Sequence, residues 1–208
     1  MPSKKSRVVR KLPLPGRDFE ESSVPVTKQG SKTWFRVHRA EFSPVHFSLR
    51  RHHRFSHEDC PYDVLYLASS IKTGLWEVFG DNLLFNERAI SSSHWGGFAI
   101  SKVTLPALRV CAVSQQRTRS AMGVEKSALL AADLSVPQAW GRAVQQHRAE
   151  FQALQYTSRF DDKPCLALFD RDNLADLIET KRVGSLHEAD DAVGWLMENR
   201  VALVEGDF

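Results

Sequence analysis

Arginine, tyrosine and glutamate side chains follow one another in the stretch Trp34–Phe85. Arg36 and Tyr66 lie in two short runs that read as β-strands, and Arg54 lies in a basic, histidine-rich loop between them. Glu77 is a lone acid in a mostly apolar segment. Guanidinium groups bind phosphate oxygens in pairs, an aromatic ring stacks on a base, and a carboxylate stabilises developing positive charge. These residue types suit an anionic, aromatic ligand such as a nucleotide with a cleavable glycosidic bond.

Arg36 is predicted to lie in a strand over 33–39, where polar and apolar side chains alternate. Arg36 shares a face with Trp34 in this strand. A charged group is costly to bury unless it is paired or meets an anion. Arg36 therefore either pairs with an acid such as Glu41 or Glu77, or faces a ligand.

A second strand, Asp63 to Ala68, is apolar on both faces and is predicted to be central in a sheet. Tyr66 in this strand is either a core residue or part of a pocket wall. A turn over 69–73 with a capping residue leads into a helix that runs to about Leu84. Glu77 lies near the first turns of this helix, where the helix dipole favours an anion. Ligand clefts commonly lie where a strand passes into a helix in this way.

The remaining elements are predicted from periodicity. A long amphipathic helix is expected over 136–154, capped by Asp133, and Leu166–Phe169 is expected to be a buried strand preceded by a loop with Ser158. Shorter helices are expected over 174–180 and 187–198, and residues 86–97 and 115–123 are expected to be loops.

The length of 208 residues and the hydrophobic content of 42% predict one domain with a sizeable core. Residues 1–31 begin with a run of basic residues and contain several prolines, which predicts a flexible tail before a domain over 32–208. No apolar run approaches the roughly 20 residues of a membrane span, and the N-terminus does not read as a secretory signal. Three widely spaced cysteines favour a reducing cytoplasm.

Two other hypotheses of function, neither of which involves cleavage of a nucleotide, remain open. The basic tail and loop are compatible with a non-enzymatic nucleic-acid-binding module, because a formal net charge of +3 permits phosphate ligands without requiring them. His53, His57 and Cys60 have the spacing His-x3-His-x2-Cys, which could supply three zinc ligands. No second pair stands at finger spacing, so no metal is expected. A G-x-G-x-x-G turn, a Walker loop and a G-x-S-x-G elbow are all absent from the sequence.

The order of the signals resembles the RES-domain family, the toxin components of bacterial toxin–antitoxin pairs, named for arginine, glutamate and serine. The resemblance spans roughly residues 33 to 170. The motifs that carry it are WFRVHRAEF with Arg36, RF with Arg54, VLYLASS with Tyr66, the helical Glu77, DLSVPQAW, and QYTSRF with Ser158 before CLALFD.

The resemblance implies a single α+β domain with a central mixed sheet, similar to ADP-ribosyltransferase folds, and NAD+ as the substrate. By the same resemblance, the NAD+ pocket comprises Arg36, Arg54, Tyr66, Glu77 and Ser158, with Glu77, Arg36 and Ser158 as catalytic residues. The implied partner is a helix-turn-helix antitoxin of the Xre type that blocks the cleft. Inorganic phosphate is the acceptor in some members, and a homodimer is the base-rate expectation for a soluble oligomer.

The predicted activity is cleavage of the bond between nicotinamide and ribose in NAD+, by hydrolysis or phosphorolysis. In this reading Arg36 and Arg54 clamp the pyrophosphate, Tyr66 stacks on nicotinamide, and Glu77 stabilises the oxocarbenium-like ribosyl centre. Ser158 hydrogen-bonds the nicotinamide amide or the nearby ribose. The alternative within enzymes is transfer of ADP-ribose to a protein, which these residues do not distinguish from NAD+ degradation.

Overall fold

A computed structural model describes residues 12–48, 53–85 and 88–206. In these ranges the strands are β1 (Thr27–Gln29), β2 (Lys32–Arg39), β3 (Val64–Ala68), β4 (Ala89–Ser91), β5 (Phe98–Leu105), β6 (Leu108–Ala112), β7 (Ala153–Thr157), β8 (Pro164–Phe169), β9 (Glu179–Ser185) and β10 (Ala202–Val204). The helices are α1 (Ile71–Phe85), α2 (Ser92–Gly96), α3 (Gln116–Met122), α4 (Lys126–Leu129), α5 (Ser135–Gln146) and α6 (Asp190–Asn199), with 3₁₀ turns at Phe19–Glu21 and Leu174–Leu177.

Eight of the strands form one sheet in the order β1-β6-β7-β8-β3-β2-β5-β9. The sheet is mixed, because β6 and β7 run parallel while the other neighbouring pairs are antiparallel. Strands β4 and β10 form a separate parallel pair. One α+β domain with a central mixed sheet is therefore confirmed.

Strand β3 lies inside the sheet between β8 and β2, as its two apolar faces predict. Val64 and Ala68 pack into a core cluster with residues of α5, whereas Leu65 and Leu67 pack into a second cluster with Trp34. This alternation is the two-residue period of a strand buried on both faces. Tyr66 points to the same side as Val64 and is partly buried there.

Helix α1 follows β3 after two residues, and its start is capped by Ser70, whose hydroxyl accepts a hydrogen bond from the backbone nitrogen of Thr73 at 3.1 Å. The helix packs on β2 through Gly74, where an added Cβ would lie 3.0 Å from the side chain of Val37. The predicted strand–turn–helix unit that carries Tyr66 and Glu77 is thus present, with the helix beginning at Ile71.

Part of the predicted N-terminal tail is built into the domain. Strand β1 pairs with β6 at the edge of the sheet, Phe19 is buried, and the indole nitrogen of Trp140 donates to the carbonyl of Pro13 at 2.9 Å. Residues 12–31 therefore pack on the domain through strand pairing and buried apolar side chains, rather than forming a loose tail. The basic residues from Lys4 to Lys11 lie outside the described residues.

Four local predictions are corrected. Helix α5 ends at Gln146, and the apolar spacing that predicted its extension to Leu154 continues into β7. Residues 116–122 form α3, and residues 89–96 form β4 and α2, where loops were predicted. Instead of a helix over 174–180, a 3₁₀ turn leads into β9, an exposed edge strand paired with β5. No helix among the described residues is long and apolar enough to cross a membrane.

Candidate functional site

A cleft of about 640 Å³ opens beside the middle of the sheet, between β2, β3 and α1. Loops after β2, before β3, before α5 and after β7 complete its walls. Four of the five predicted site residues line it: Arg36, Arg54, Tyr66 and Glu77. The structure thus brings together side chains from two strands, one helix and one loop. Ser158 is not among the described lining residues.

The Glu77 carboxylate is exposed in the cleft and accepts a hydrogen bond from the phenol of Tyr156 at 3.0 Å. Tyr156 comes from β7 and is itself buried. Burial, and then the neighbouring carboxylate of Glu77, raise the pKa of the Tyr156 phenol well above its ordinary value, so the phenol remains a donor. Glu77 is the seventh residue of α1, beyond the first turn, and the hydrogen bond from Tyr156 rather than the helix dipole holds it.

Tyr66 positions the loop that carries Arg54. Its hydroxyl accepts a hydrogen bond from the backbone nitrogen of Phe55 at 2.9 Å, and its ring meets the ring of His53 edge-on at 5.1 Å. Burial raises the pKa of the Tyr66 phenol. The residues on both sides of Arg54 are therefore fixed by one tyrosine side chain. The ring of Phe55 also packs against that of Tyr156 at 5.0 Å, which links this loop to the Glu77 side of the cleft.

Arg54 spans the cleft wall to the segment before α5. Its guanidinium donates to the carbonyls of Ala131 at 2.8 Å and Leu129 at 3.3 Å. Burial, and then the nearby Arg159, lower the pKa of Arg54 from its ordinary value, which reflects a cation that is partly desolvated and close to a second cation. A bound anion would relieve both costs.

Arg36 holds the loop that follows β2. Its guanidinium donates to the carbonyl of Pro44 at 2.5 Å and to that of His46 at 3.2 Å. This contact was not anticipated, since the sequence suggested an acid or a ligand as the partner. Arg36 therefore contributes to the shape of the cleft as well as to its charge.

Ser158 is fully buried at the end of β7. Its hydroxyl accepts a hydrogen bond from the backbone nitrogen of Phe160 at 3.2 Å, and its backbone bonds to Lys163 and Asp162 across the turn to β8. The structure therefore places Ser158 behind the cleft wall, where it shapes the turn that presents Arg159 and Phe160 to the cleft.

The turn after β7 contacts α1 through an ion pair and a stacked pair of rings. Arg159 forms an ion pair with Asp81, and the ring of Phe160 stacks on Trp76 at 5.8 Å. Phe160 lies so close to Gly80 that an added Cβ would be 2.6 Å from the ring. Arg159, Asp81 and Phe160 all line the cleft, although the sequence led to no predicted site role for them.

The lining includes four arginines and two acids among the described residues: Arg36, Arg39, Arg54, Arg159, Glu77 and Asp81. The cleft is thus a cationic site with one carboxylate held by a phenol. Such a site can hold a di-anion and place a carboxylate beside a carbon atom that becomes positively charged.

The residues of the zinc hypothesis have other partners. His53 packs on Tyr66, the imidazole of His57 accepts from the backbone nitrogen of Asp59 at 3.2 Å, and Cys60 is buried. Within residues 12–48, 53–85 and 88–206, no group of three or more His, Cys, Asp or Glu side chains is placed to hold a metal ion.

Residues 33–188 match the RES domain, so the chain belongs to the RES-domain family. The match covers β2, β3, α1 and the turn after β7, which are the elements that form the cleft. The resemblance inferred from the sequence motifs is confirmed.

A chain of the toxin–antitoxin complex of MbcT and MbcA from M. tuberculosis has a similar structure. The TM-score is 0.64 over 85% of this chain and 93% of that chain, at 15% sequence identity. At this identity the likeness shows a common fold. Among curated proteins, none matches the chain significantly by sequence.

Proposed function

We propose that this protein cleaves NAD+ at the bond between nicotinamide and ribose. The observation that carries the proposal is the exposed Glu77 carboxylate, held by Tyr156 in a cleft that is also lined by Arg36 and Arg54. Membership of the RES-domain family supports NAD+ as the substrate. The pyrophosphate of NAD+ matches the arginines, and the ribose that becomes positively charged as nicotinamide leaves matches the carboxylate.

In the proposed reaction the C–N bond breaks and its electron pair passes to the nicotinamide nitrogen, which becomes neutral. Glu77 stabilises the oxocarbenium-like ribosyl centre, or holds a ribose hydroxyl next to it. An oxygen of water or of inorganic phosphate then bonds to the same carbon, and a water proton is released in the hydrolytic case. The arginines keep the reacting carbon in register with the carboxylate.

Tyr66 and Ser158 have roles in this proposal that differ in kind. Tyr66 lines the cleft and can contact the nicotinamide ring while its hydroxyl holds the backbone of Phe55. Ser158 acts through the turn that it closes, because its hydroxyl is directed to the backbone of Phe160. A direct contact of Ser158 with the substrate would require this turn to rearrange.

The experiment that tests the proposal is incubation of the purified protein with NAD+, with and without inorganic phosphate, followed by separation of the products. Free nicotinamide with ADP-ribose indicates hydrolysis, and free nicotinamide with phosphorylated ADP-ribose indicates phosphorolysis. If the NAD+ carries a radiolabel in its ADP-ribose part, label that stays on a protein would instead favour ADP-ribosyl transfer. Intact NAD+ in every condition would refute the proposal.

We further propose that a helix-turn-helix antitoxin is the partner and that it covers the cleft near Arg54 and Glu77. The structurally similar chain comes from the MbcT–MbcA toxin–antitoxin complex, which supports a partner of this kind. If the partner closes the cleft, modification of Arg54 by an arginine reagent should slow in the complex, and NAD+ should compete with the partner. Equal NAD+ consumption by the free protein and the complex would contradict this arrangement.

A further inference from the structure

The rim of the cleft carries an aromatic pair that the proposed reaction does not use. The rings of Phe42 and His46 are stacked, with centroids 5.4 Å apart and an interplanar angle of 13°. Both residues line the cleft, and Phe42 keeps 43% of its surface exposed. A large apolar ring exposed beside an anion-binding site calls for an explanation, since core packing does not provide one.

The pair is held in place before any ligand arrives. Arg36 binds the carbonyls of Pro44 and His46, and the backbone nitrogen of Phe42 donates to the carbonyl of Arg39 at 3.1 Å. The backbone nitrogen of Val45 donates to the hydroxyl of Ser43 at 3.2 Å. A ring on a fixed loop loses little conformational entropy when it binds a flat ligand.

The pair lies on the Arg36 side of the cleft, because Arg36 itself tethers the loop. The carboxylate lies on the Arg54 side, since Tyr156, which holds Glu77, packs on Phe55, the residue next to Arg54. Arg36 thus contacts the loop that carries the aromatic pair, and Arg54 adjoins the residue that links to Glu77 through Tyr156. A dinucleotide has the same order of groups: an aromatic base, a pyrophosphate, and the ribose whose bond is cleaved.

The geometry points to Phe42, stacked on His46, as the site that binds the adenine base of the substrate. The inference rests on the proposed function, which it extends by assigning the two ends of NAD+ to the two ends of the cleft. Stacking on an aromatic side chain accepts any flat base, so this site adds affinity rather than base specificity. It distinguishes dinucleotides from mononucleotides that lack the second base.

The experiment compares Phe42→Ala and Phe42→Trp with Leu84→Ala, a control at an exposed apolar residue of α1 outside the described cleft lining. Binding of ADP and of inorganic pyrophosphate is measured by calorimetry, and turnover of NAD+ and of nicotinamide mononucleotide is measured kinetically. Pyrophosphate engages the arginines without a base, and nicotinamide mononucleotide lacks adenine. The two ligands therefore isolate the contribution of stacking.

Loss of one base–aromatic contact should weaken ADP binding about tenfold and raise the KM for NAD+ about tenfold, with kcat changed by less than about twofold. Pyrophosphate binding and turnover of nicotinamide mononucleotide should not change, and Phe42→Trp should behave like the wild type. An equal effect on nicotinamide mononucleotide would place the other ring of NAD+ on Phe42 and overturn the inference. The inference is also overturned if Phe42→Ala behaves like Leu84→Ala, or if the wild type does not bind ADP.

The two proposals fail separately. If the wild type leaves NAD+ intact but Phe42→Ala loses ADP and keeps pyrophosphate, the base site stands and the proposed reaction does not. If the wild type cleaves NAD+ and Phe42→Ala is unchanged in every assay, the reaction stands and the base site does not.

Discussion

At the scale of single residues, the Tyr156–Glu77 contact is the most informative feature of the site. A hydrogen bond to a charged carboxylate is stronger than one between neutral groups, and it fixes the rotamer of the side chain that accepts it. Because Tyr156 is buried, bulk water cannot replace Glu77 as the hydrogen-bond partner of its hydroxyl unless the tyrosine side chain becomes exposed. Glu77 is thereby kept in one orientation while its other oxygen remains available to a substrate.

Replacing Tyr156 by phenylalanine should lower kcat for NAD+ by about tenfold with little change in KM, because the carboxylate loses its orientation but the arginine clamp is intact. The ring without its hydroxyl would still pack on Phe55, so the fold should be retained. Steady-state kinetics over a range of pH measure the effect. Tyr62→Phe is the matched control, since Tyr62 packs on Arg171 outside the described cleft lining. Equal kcat in the two variants would show that Tyr156 does not position Glu77.

The sequence predicted four residues that line the cleft and a fifth, Ser158, that lies behind its wall. Arg36 and Glu77 stand out locally, as an arginine in an apolar strand and a lone acid in an apolar helix, whereas Arg54 and Tyr66 were assigned to the pocket through the family resemblance. Tyr156 was missed because a tyrosine in an apolar run looks like a core residue until its partner on another element is known. The role of Ser158 depends on the direction of one hydroxyl, which no sequence pattern encodes.

At the scale of elements, the loop with Arg54 depends on the approach of α5. An added Cβ at Gly141 of α5 would lie 2.5 Å from the carbonyl oxygen of Phe55, so the helix and the loop pack backbone to backbone there. This contact and the hydrogen bond from Phe55 to Tyr66 define where Arg54 stands. The position of Arg54 is therefore set in part by Gly141, which lies on a different element, helix α5.

Gly141→Ala should destabilise the protein by about 1–3 kcal/mol, because backbone atoms must move apart, and this outweighs the gain of roughly 1 kcal/mol in helix propensity. It should also raise the KM for NAD+, since Arg54 moves with the loop. Gly194→Ala in α6 is the control, because nothing lies within 4 Å of the added Cβ. That variant should be stabilised by roughly 0.5–1 kcal/mol with unchanged KM. Urea unfolding and steady-state kinetics give both values, and an equally stable Gly141→Ala would contradict the account.

Elements with a strong local pattern were predicted correctly, and those that depend on distant partners were not. Strand β3 and helix α1 have clear periods and a capping serine, and both are found close to where they were expected. Strand β9 is exposed and polar, so only its pairing with β5 makes it a strand. The first two residues of strand β7 were included in the predicted helix over 136–154 because Phe151 and Leu154 continue the helical spacing.

At the scale of the whole molecule, acid should destabilise the fold through buried histidines. His147 is buried, and its Nδ1 accepts a hydrogen bond from the backbone nitrogen of Ala149 at 3.0 Å. Burial lowers the pKa of His147 in the folded state, as it also does for His38. The unfolded chain then binds more protons than the folded one. The stabilisation is complete above the unfolded pKa of about 6.5 and is lost as the pH falls through the folded pKa.

The free energy of unfolding should therefore fall between about pH 7.5 and pH 5.5. His147→Asn should make this fall smaller, because an amide oxygen can accept the bond from Ala149 without titrating. His187→Asn, at an exposed histidine, should keep the full pH dependence. Urea unfolding at both pH values measures the difference. Identical pH dependence in the wild type and His147→Asn would show that His147 does not contribute.

The global arrangement was predictable only in outline. One domain was expected from the length and composition, and one mixed sheet from the family resemblance. The incorporation of residues 12–31 was not, because β1 is three residues long and depends on β6, about eighty residues further along the chain. Local composition predicted a tail, but strand pairing with a distant segment incorporates β1 into the sheet.

The most direct test of the account is NAD+ consumption by Glu77→Gln, which preserves the shape of the side chain and removes its charge. Glu198→Gln is the control, since Glu198 pairs with Lys72 at 2.6 Å outside the described cleft lining. If the carboxylate stabilises the ribosyl centre, Glu77→Gln should lose about 100-fold or more in kcat, while Glu198→Gln remains close to the wild type. A folded Glu77→Gln that consumes NAD+ as fast as the wild type would contradict the central claim.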